Sequence, residues 1–336
     1  MTESLQAIVP LLAGHKVLVL GDVILDEYLI GTPERISREA PIPVLELTER
    51  RYIPGGAANP ASNIMSLGSH AQQIGLVGED SAAQRLRDEL SRRGIDVTGL
   101  LPLPDRPTTL KTRILAQMGL RFPQQVARVD TVSRSPISAE TEERLLEVVR
   151  HAWAGCQAIL ISDYQSGLLT PTFVARLGDE VHGAGLLRTV DAQGHLEKYH
   201  GFDVVKCNAD DARAVTGRDL ATDDDFAEAA RFLARDLDLK GAMVITRGAA
   251  GATVAAAYGA VHHCPSPQVS DVYDTVGAGD TTIAVMTLAL IAGASYRDAV
   301  MLANYASGIV VRHVGNYTPS PTELLKSLVE DVTGES

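Results

Sequence analysis

The sequence holds only three cysteines, Cys156, Cys207 and Cys264, odd in number and far apart along 336 residues. That scarcity excludes a disulfide framework and a paired-thiolate metal site, and it predicts a reducing, cytoplasmic setting. Positive charge is also short: 30 Lys and Arg against 42 Asp and Glu leave a formal net charge of −12. This balance argues against general binding to nucleic acid or to an anionic membrane, although local basic residues can still serve an anionic ligand. No apolar run is long and uninterrupted enough to span a bilayer. The opening MTESLQAIVPLLAGH lacks the basic start and long apolar stretch of an export signal. Neither a short-period repeat nor a low-complexity segment is present.

What is there is a soluble globular composition, 45% hydrophobic and 21% charged. Buried-strand patterns at 16–22 (KVLVLGD), 71–80, 157–163, 186–192, 203–208 and 241–248 alternate with amphipathic helical stretches such as 57–68, 81–94 and 140–155. Runs apolar on both faces and joined by helices predict an α/β protein with a mostly parallel sheet flanked by helices. Two segments break the rhythm. Residues 23–54 are rich in proline and charge, with short extended pieces, and 107–130 alternate like strands. They are expected to form a small β-sheet lid beside the main domain. The predicted strands end on Asp22, Asp163, Asp191, Asn208 and Thr246, and in open α/β sheets ligands bind beyond the carboxyl ends of the strands.

The stretch DTVGAGDT (274–281) precedes a long apolar helix. Its glycines let the backbone approach a ligand, and the amides of Val276 to Asp280 at a helix start make an anion site. No third glycine completes a dinucleotide fingerprint, and no Gly-Lys-Ser/Thr follows. The acid in the first helical turn, Asp280, can accept a hydroxyl proton while the amides take up phosphoryl charge. From the turn alone, complementing the helix dipole explains Asp280 equally well. His262 and His263 are adjacent and would face opposite sides of a strand, and His195 and His200 lack a third ligand, so none makes a metal site.

Taken in order, GDVILDEY (21–28), PGGAANPASNIMSLG (54–68), SDYQSG (162–167), NADDARAVTG (208–217), ITRGAAG (245–251) and DTVGAGDT resemble the ribokinase-like (PfkB) carbohydrate kinases over residues 14–330. The resemblance implies a single kinase domain over 1–336 with inserted lid segments, ATP and Mg²⁺ as cofactors, K⁺ as a candidate cation, and a homodimer formed through the lid. It implies that Asp280 is the catalytic base and that Gly277, Ala278 and Gly279 form the anion hole. Asp26, Gly55, Gly56 and Asn59 match positions that hold the sugar. Asn208 and Asp211 match the Asn-x-x-Glu motif that organises magnesium and phosphate, with the shorter Asp211 in place of glutamate. Thr246, Arg247, Gly248 and Gly251 match the nucleotide-side loop, Asn304 a position near the adenine, and Asp274 a loop that touches a monovalent cation. Thr282 stands where the family has phenylalanine.

GTPERISREAPIPVLE (31–46), TTLKTRILAQ (108–117), QQVARVD (124–130), SDYQSGLLT (162–170) and GNYTPSPTEL (315–324) narrow the resemblance. They look like the branch that phosphorylates D-glycero-D-manno-heptose 7-phosphate at the anomeric oxygen, here in stand-alone kinase form. Lys111 and Arg113, with Arg35 and Arg128 beside them, are the lid's candidates for the sugar's phosphate. Asp163 and Tyr164 are candidates for sugar hydroxyls. Two alternatives stay open: a PfkB kinase for ribose, fructose, fructose phosphate or a nucleoside, and a catalytically silent sugar-binding protein.

Overall fold

The computed structural model describes residues 2–119, 123–269 and 272–333. Of the lid segment 107–130, residues 120–122 lie outside the described residues. The first half contains α1 (Thr2–Ile8), β1 (Lys16–Gly21), β2 (Val23–Ile36), β3 (Pro43–Gly56), α2 (Ala58–Ser66), β4 (His70–Val77), α3 (Ser81–Arg92) and β5 (Asp96–Pro102). Then come β6 (Leu110–Ala116), β7 (Gln124–Thr131), α4 (Ala139–Ala152), β8 (Ala158–Asp163), α5 (Pro171–Gly183), β9 (Leu187–Ala192), β10 (Val204–Asn208) and α6 (Ala209–Thr216). The chain closes with α7 (Asp223–Asp236), β11 (Ala242–Thr246), β12 (Ala252–Ala256), β13 (Val261–Cys264), α8 (Ala278–Ile291), α9 (Tyr296–Val310) and α10 (Pro321–Thr333).

Nine strands form the main sheet in the order β13-β12-β11-β10-β9-β8-β1-β4-β5. Pairing is parallel from β11 to β5, and β12 and β13 add an antiparallel edge. Alternation along β1 sends Val17 and Val19 to one face, with α2, α3, α8, α9 and α10, and Leu18 and Leu20 to the other, with α4, α5 and α7. The two faces carry separate hydrophobic clusters, as a doubly covered parallel sheet requires. α8 is buried from Asp280 to Ala289, which explains why it is apolar all round rather than amphipathic.

The second sheet has the order β3-β2-β6-β7. Residues 23–56 are not the short pieces expected but two 14-residue strands paired as a hairpin. Three of its four prolines, Pro33, Pro41 and Pro43, lie toward the far end, where the register shifts at Ile30/Gly31 and Pro33/Arg35, while Pro54 pairs with Leu25 at the near end. The near ends, by contrast, are buried, including Asp26 on β2 and Gly55 and Gly56 on β3.

Candidate active site

Asp280, in the first turn of α8, is 3% exposed. Asn59 Nδ2 on α2 donates to its Oδ2 (2.9 Å), and the hydroxyl of Tyr164 donates to its Oδ1 (2.9 Å). Burial pushes the carboxyl up to about 7, and the negative charge of Asp191 adds to this. The two donors and Lys206 oppose the rise. A base poised near neutral pH is the outcome that proton abstraction favours.

A cavity of about 490 Å³ opens beside it, lined on one wall by Gly277, Gly279, Asp280 and Thr275. Asp191, Lys206, Asn208 and Thr246, at or near the strand ends, line the cavity as well. At the turn, Val276 N–H donates to Asp274 Oδ1 (3.0 Å) and Ala278 N–H to Thr275 O (3.3 Å). Among the described residues, the amides of Gly277, Gly279 and Asp280 have no such partner, as the first turn of a helix dictates. Lys206 adds a positive charge over that turn. Its Nζ lies 3.0 Å from where a Cβ on Gly279 would sit, and it pairs with Asp191 Oδ2 at 2.7 Å. Gly277 has φ +83°, and a Cβ there would lie 2.7 Å from Asn59 Nδ2, so no other residue fits the turn without displacing the donor to Asp280.

A second cluster of candidate residues surrounds Asp26 on β2. Asp26 is 3% exposed, accepts from Arg113 on β6, and also accepts from Asn316 Nδ2 (2.7 Å). Gly55 is required by closeness: a Cβ there would stand 2.1 Å from Asp26 Oδ2. Lys111 Nζ lies 5.1 Å over the ring of Tyr164, and burial lowers its pKa.

The sequence pattern of the pfkB family carbohydrate kinases matches residues 15–163 and 164–323. The chain belongs to that family. It is 38% identical over 312 residues to the bifunctional protein HldE of Geobacter metallireducens, covering 93% of this chain and 62% of that protein. The chain therefore spans about three-fifths of the length of that relative. Phosphofructokinase-2 from Escherichia coli, solved in complex with potassium, superimposes with a TM-score of 0.78 at 21% identity, covering 95% of this chain and 99% of that one. Arabidopsis thaliana ribokinase, solved with ribose and ATP, gives 0.71 at 19%, covering 94% and 99%. The ribokinase-like fold is thus shared.

The remaining pfkB positions fall into two groups. Thr246, Arg247 and Gly248 line the cavity with Asn208. Gly251 and Asn304 do not line it. Gly251, at φ +83°, accepts from Arg247 N–H at 2.7 Å and so closes the loop that holds Arg247. Asn304 Nδ2 donates to the carbonyls of Cys264 (2.8 Å) and Pro265 (3.1 Å). Asp274 accepts from Val276 N–H and Gly315 N–H (2.9 Å), tying the 274–277 turn to the loop after α9. Asn208 caps α6 through Asp211 N–H (2.8 Å), and Asp211 Oδ2 is buried with no hydrogen-bond partner among the described residues. Asp22 and Asp163 turn away from the cavity. Asp22 accepts from the backbone of Tyr164 and Ser166, and Asp163 from Lys198, Tyr199 and Gln165, so both hold the turn that presents Tyr164. Arg128 is paired with Asp130 on the exposed β7.

Three residues of the site were given no role from the sequence. Lys206 had a signal, since a lysine inside an otherwise apolar strand needs a buried partner. Asp191 was visible only as a polar strand end. Asn316 lies in an irregular loop whose pattern carries nothing about where its amide points.

Among the described residues, no helix is long and apolar enough to cross a membrane.

Proposed function

We propose that the protein transfers the γ-phosphoryl group of ATP to a hydroxyl of a phosphorylated sugar, with Asp280 as the base. The observation that carries this reading is a buried carboxylate, raised to about 7, at the mouth of a glycine turn with free amides over a cavity. The acceptor hydroxyl loses its proton to Asp280 as its oxygen bonds to the γ-phosphorus. The bond from that phosphorus to the β-phosphate oxygen breaks, and ADP leaves. The amides of Gly277, Gly279 and Asp280 and the Lys206 ammonium stabilise charge on the transferring group.

Thr246, Arg247, Gly248 and Asn208 would cradle the nucleotide. Magnesium bound with ATP neutralises phosphate charge. Asp211, with its unpartnered Oδ2 close enough to Asp191 and Lys206 to feel their charges, would hold it through water. Asp274 is the candidate carboxylate for a monovalent cation.

The acceptor is D-glycero-D-manno-heptose 7-phosphate, phosphorylated at the anomeric oxygen. The motifs of the heptose branch support this, as does Lys111, a half-buried ammonium beside Tyr164 with no ion pair among the described residues. Asp26, Gly55, Gly56 and Asn59 would hold the sugar. Arg113 is already neutralised by Asp26, so Lys111 is the freer partner for the sugar's phosphate. The small sheet would close over the sugar and exclude water. Its outer apolar residues, Leu47, Val126 and Val129, fit a homodimer through that sheet. ADP release with the heptose phosphate beside ribose, fructose, fructose 6-phosphate and adenosine tests the substrate. The heptose phosphate should give the highest kcat/KM, and Lys111→Ala should raise its KM while leaving that for ATP unchanged. Equal or faster turnover of a neutral sugar would overturn the assignment.

A further inference from the structure

Asn316 lies half-buried in the loop after α9, between the two carboxylates of the acceptor site. Its Nδ2 donates to Asp26 Oδ2 (2.7 Å) and Pro54 O (3.2 Å), and its Oδ1 faces Asn59 Nδ2 at 3.4 Å. Chemistry fixes this orientation, because carboxylate and carbonyl oxygens only accept. Asn59 Nδ2 also donates to Asp280 Oδ2. One hydrogen-bonded file therefore runs from Arg113 through Asp26, Asn316 and Asn59 to Asp280, and on to Tyr164.

The carboxamide is held from every side. A Cβ on Gly55 would come within 3.1 Å of its Nδ2, and one on Gly277 within 2.9 Å of its Oδ1. Gly315 N–H is anchored on Asp274, and the ring of Tyr317 stacks on His313 with centroids 3.7 Å apart. Tyr317 and Ser320 in turn both bond to Glu323 on α10. The loop is thus built to place one amide.

We propose that Asn316 is a positioning residue for phosphoryl transfer: through Asn59 it sets the separation and orientation of Asp26 and Asp280, so that a sugar gripped by the first presents its hydroxyl to the second. The proposal rests on Asp280 being the base. Without the Asn316 carboxamide, Asn59 loses one of the contacts that orient its amide, keeping the one from Asn63 Nδ2 to its Oδ1 (3.3 Å), and Asp26 loses a donor. The base is then less well aligned, and one of the two hydrogen bonds that favour its charged form weakens. The other groups facing Asp280, namely Tyr164, Asp191 and Lys206, are untouched.

The test is steady-state kinetics of Asn316→Ala and Asn316→Asp across pH, with thermal unfolding and binding of a non-hydrolysable ATP analogue as controls. Asn316→Ala should lower kcat on the order of 10- to 100-fold, as misplaced reacting groups do. It should leave the KM for ATP unchanged and move the acid limb of kcat/KM to higher pH. Asn316→Asp, equal in size, sets an acceptor against Asp26, so it should raise the sugar KM and move the limb further the same way. It keeps the test open should the Ala variant not fold. Wild-type kcat with an unmoved acid limb would overturn the proposal, as would lost activity that tracks lost ATP-analogue binding at an unmoved limb. Asp280→Asn, assayed alongside, separates the two readings. Normal turnover there removes the base itself, whereas an inactive Asp280→Asn beside a wild-type-like Asn316→Ala removes only the role of Asn316.

Discussion

Replacing Asp280 with asparagine should make the protein more stable, and increasingly so as pH rises. The folded chain holds this carboxyl at about 7 against an ordinary value of 3.8, mainly because burial penalises the charge and Asp191 repels it. A raised value means that the group's favourable contribution is complete below about pH 4 and is lost as pH climbs through 7. At about 1.36 kcal/mol per pKa unit, a shift of roughly three units amounts to about 4 kcal/mol above pH 7. Asparagine fits the same place: its oxygen accepts from Asn59, and its NH2 donates to the Tyr164 oxygen, whose hydroxyl can rotate. Calorimetric unfolding of the two proteins from pH 4.5 to 8 reads the difference. It should be small at the acid end and grow to several kcal/mol at pH 8. A difference independent of pH would refute the claim that burial raises this carboxyl, and with it the physical basis for a base poised near neutrality.

Other outcomes follow from the same geometry. The acid limb of kcat/KM should have its midpoint near pH 7, since Asp280 must be ionised to accept the proton; a limb near pH 4 in the pH–rate profile would contradict this. Lys206→Met leaves Asp191 buried without its partner and should cost about 3–5 kcal/mol in denaturant unfolding, largely recovered by adding Asp191→Asn. Gly277→Ala forces a Cβ against Asn59 at positive φ and should cut kcat at least about tenfold while ATP-analogue binding persists, a split that single-turnover kinetics would show. Val129→Lys, on the exposed face of β7, should shift sedimentation from dimer to monomer if the small sheet forms the dimer contact.

The sequence was most informative where a pattern repeats or a backbone position admits one residue type. The parallel sheet could be read from strands apolar on both faces, and α8 from its apolar run. Gly277 and Asp280 stood out only through the ordered set of motifs, because from the turn alone the helix dipole explains Asp280 equally well. The hairpin of β2 and β3 was obscured because most of its prolines and charges lie on an edge that bends through two register shifts, where strand periodicity fails. Asp22 and Asp163 looked like ligand-facing strand ends, but partners from distant segments, Ser166, Lys198 and Tyr199, draw them onto the Tyr164 turn. Asn316 was least legible. It meets Asp26 and Asn59 across 290 and 257 residues of sequence, and no local signal encodes such a meeting.

The most direct test of the account is ADP release from ATP and heptose 7-phosphate by the wild-type protein and by Asp280→Asn, with ATP-analogue binding measured on both. Sugar-dependent release by the wild type, reduced by orders of magnitude in Asp280→Asn while the analogue still binds, is the predicted result. Near-normal release by Asp280→Asn, or no sugar-dependent release by the wild type with any acceptor, would contradict it.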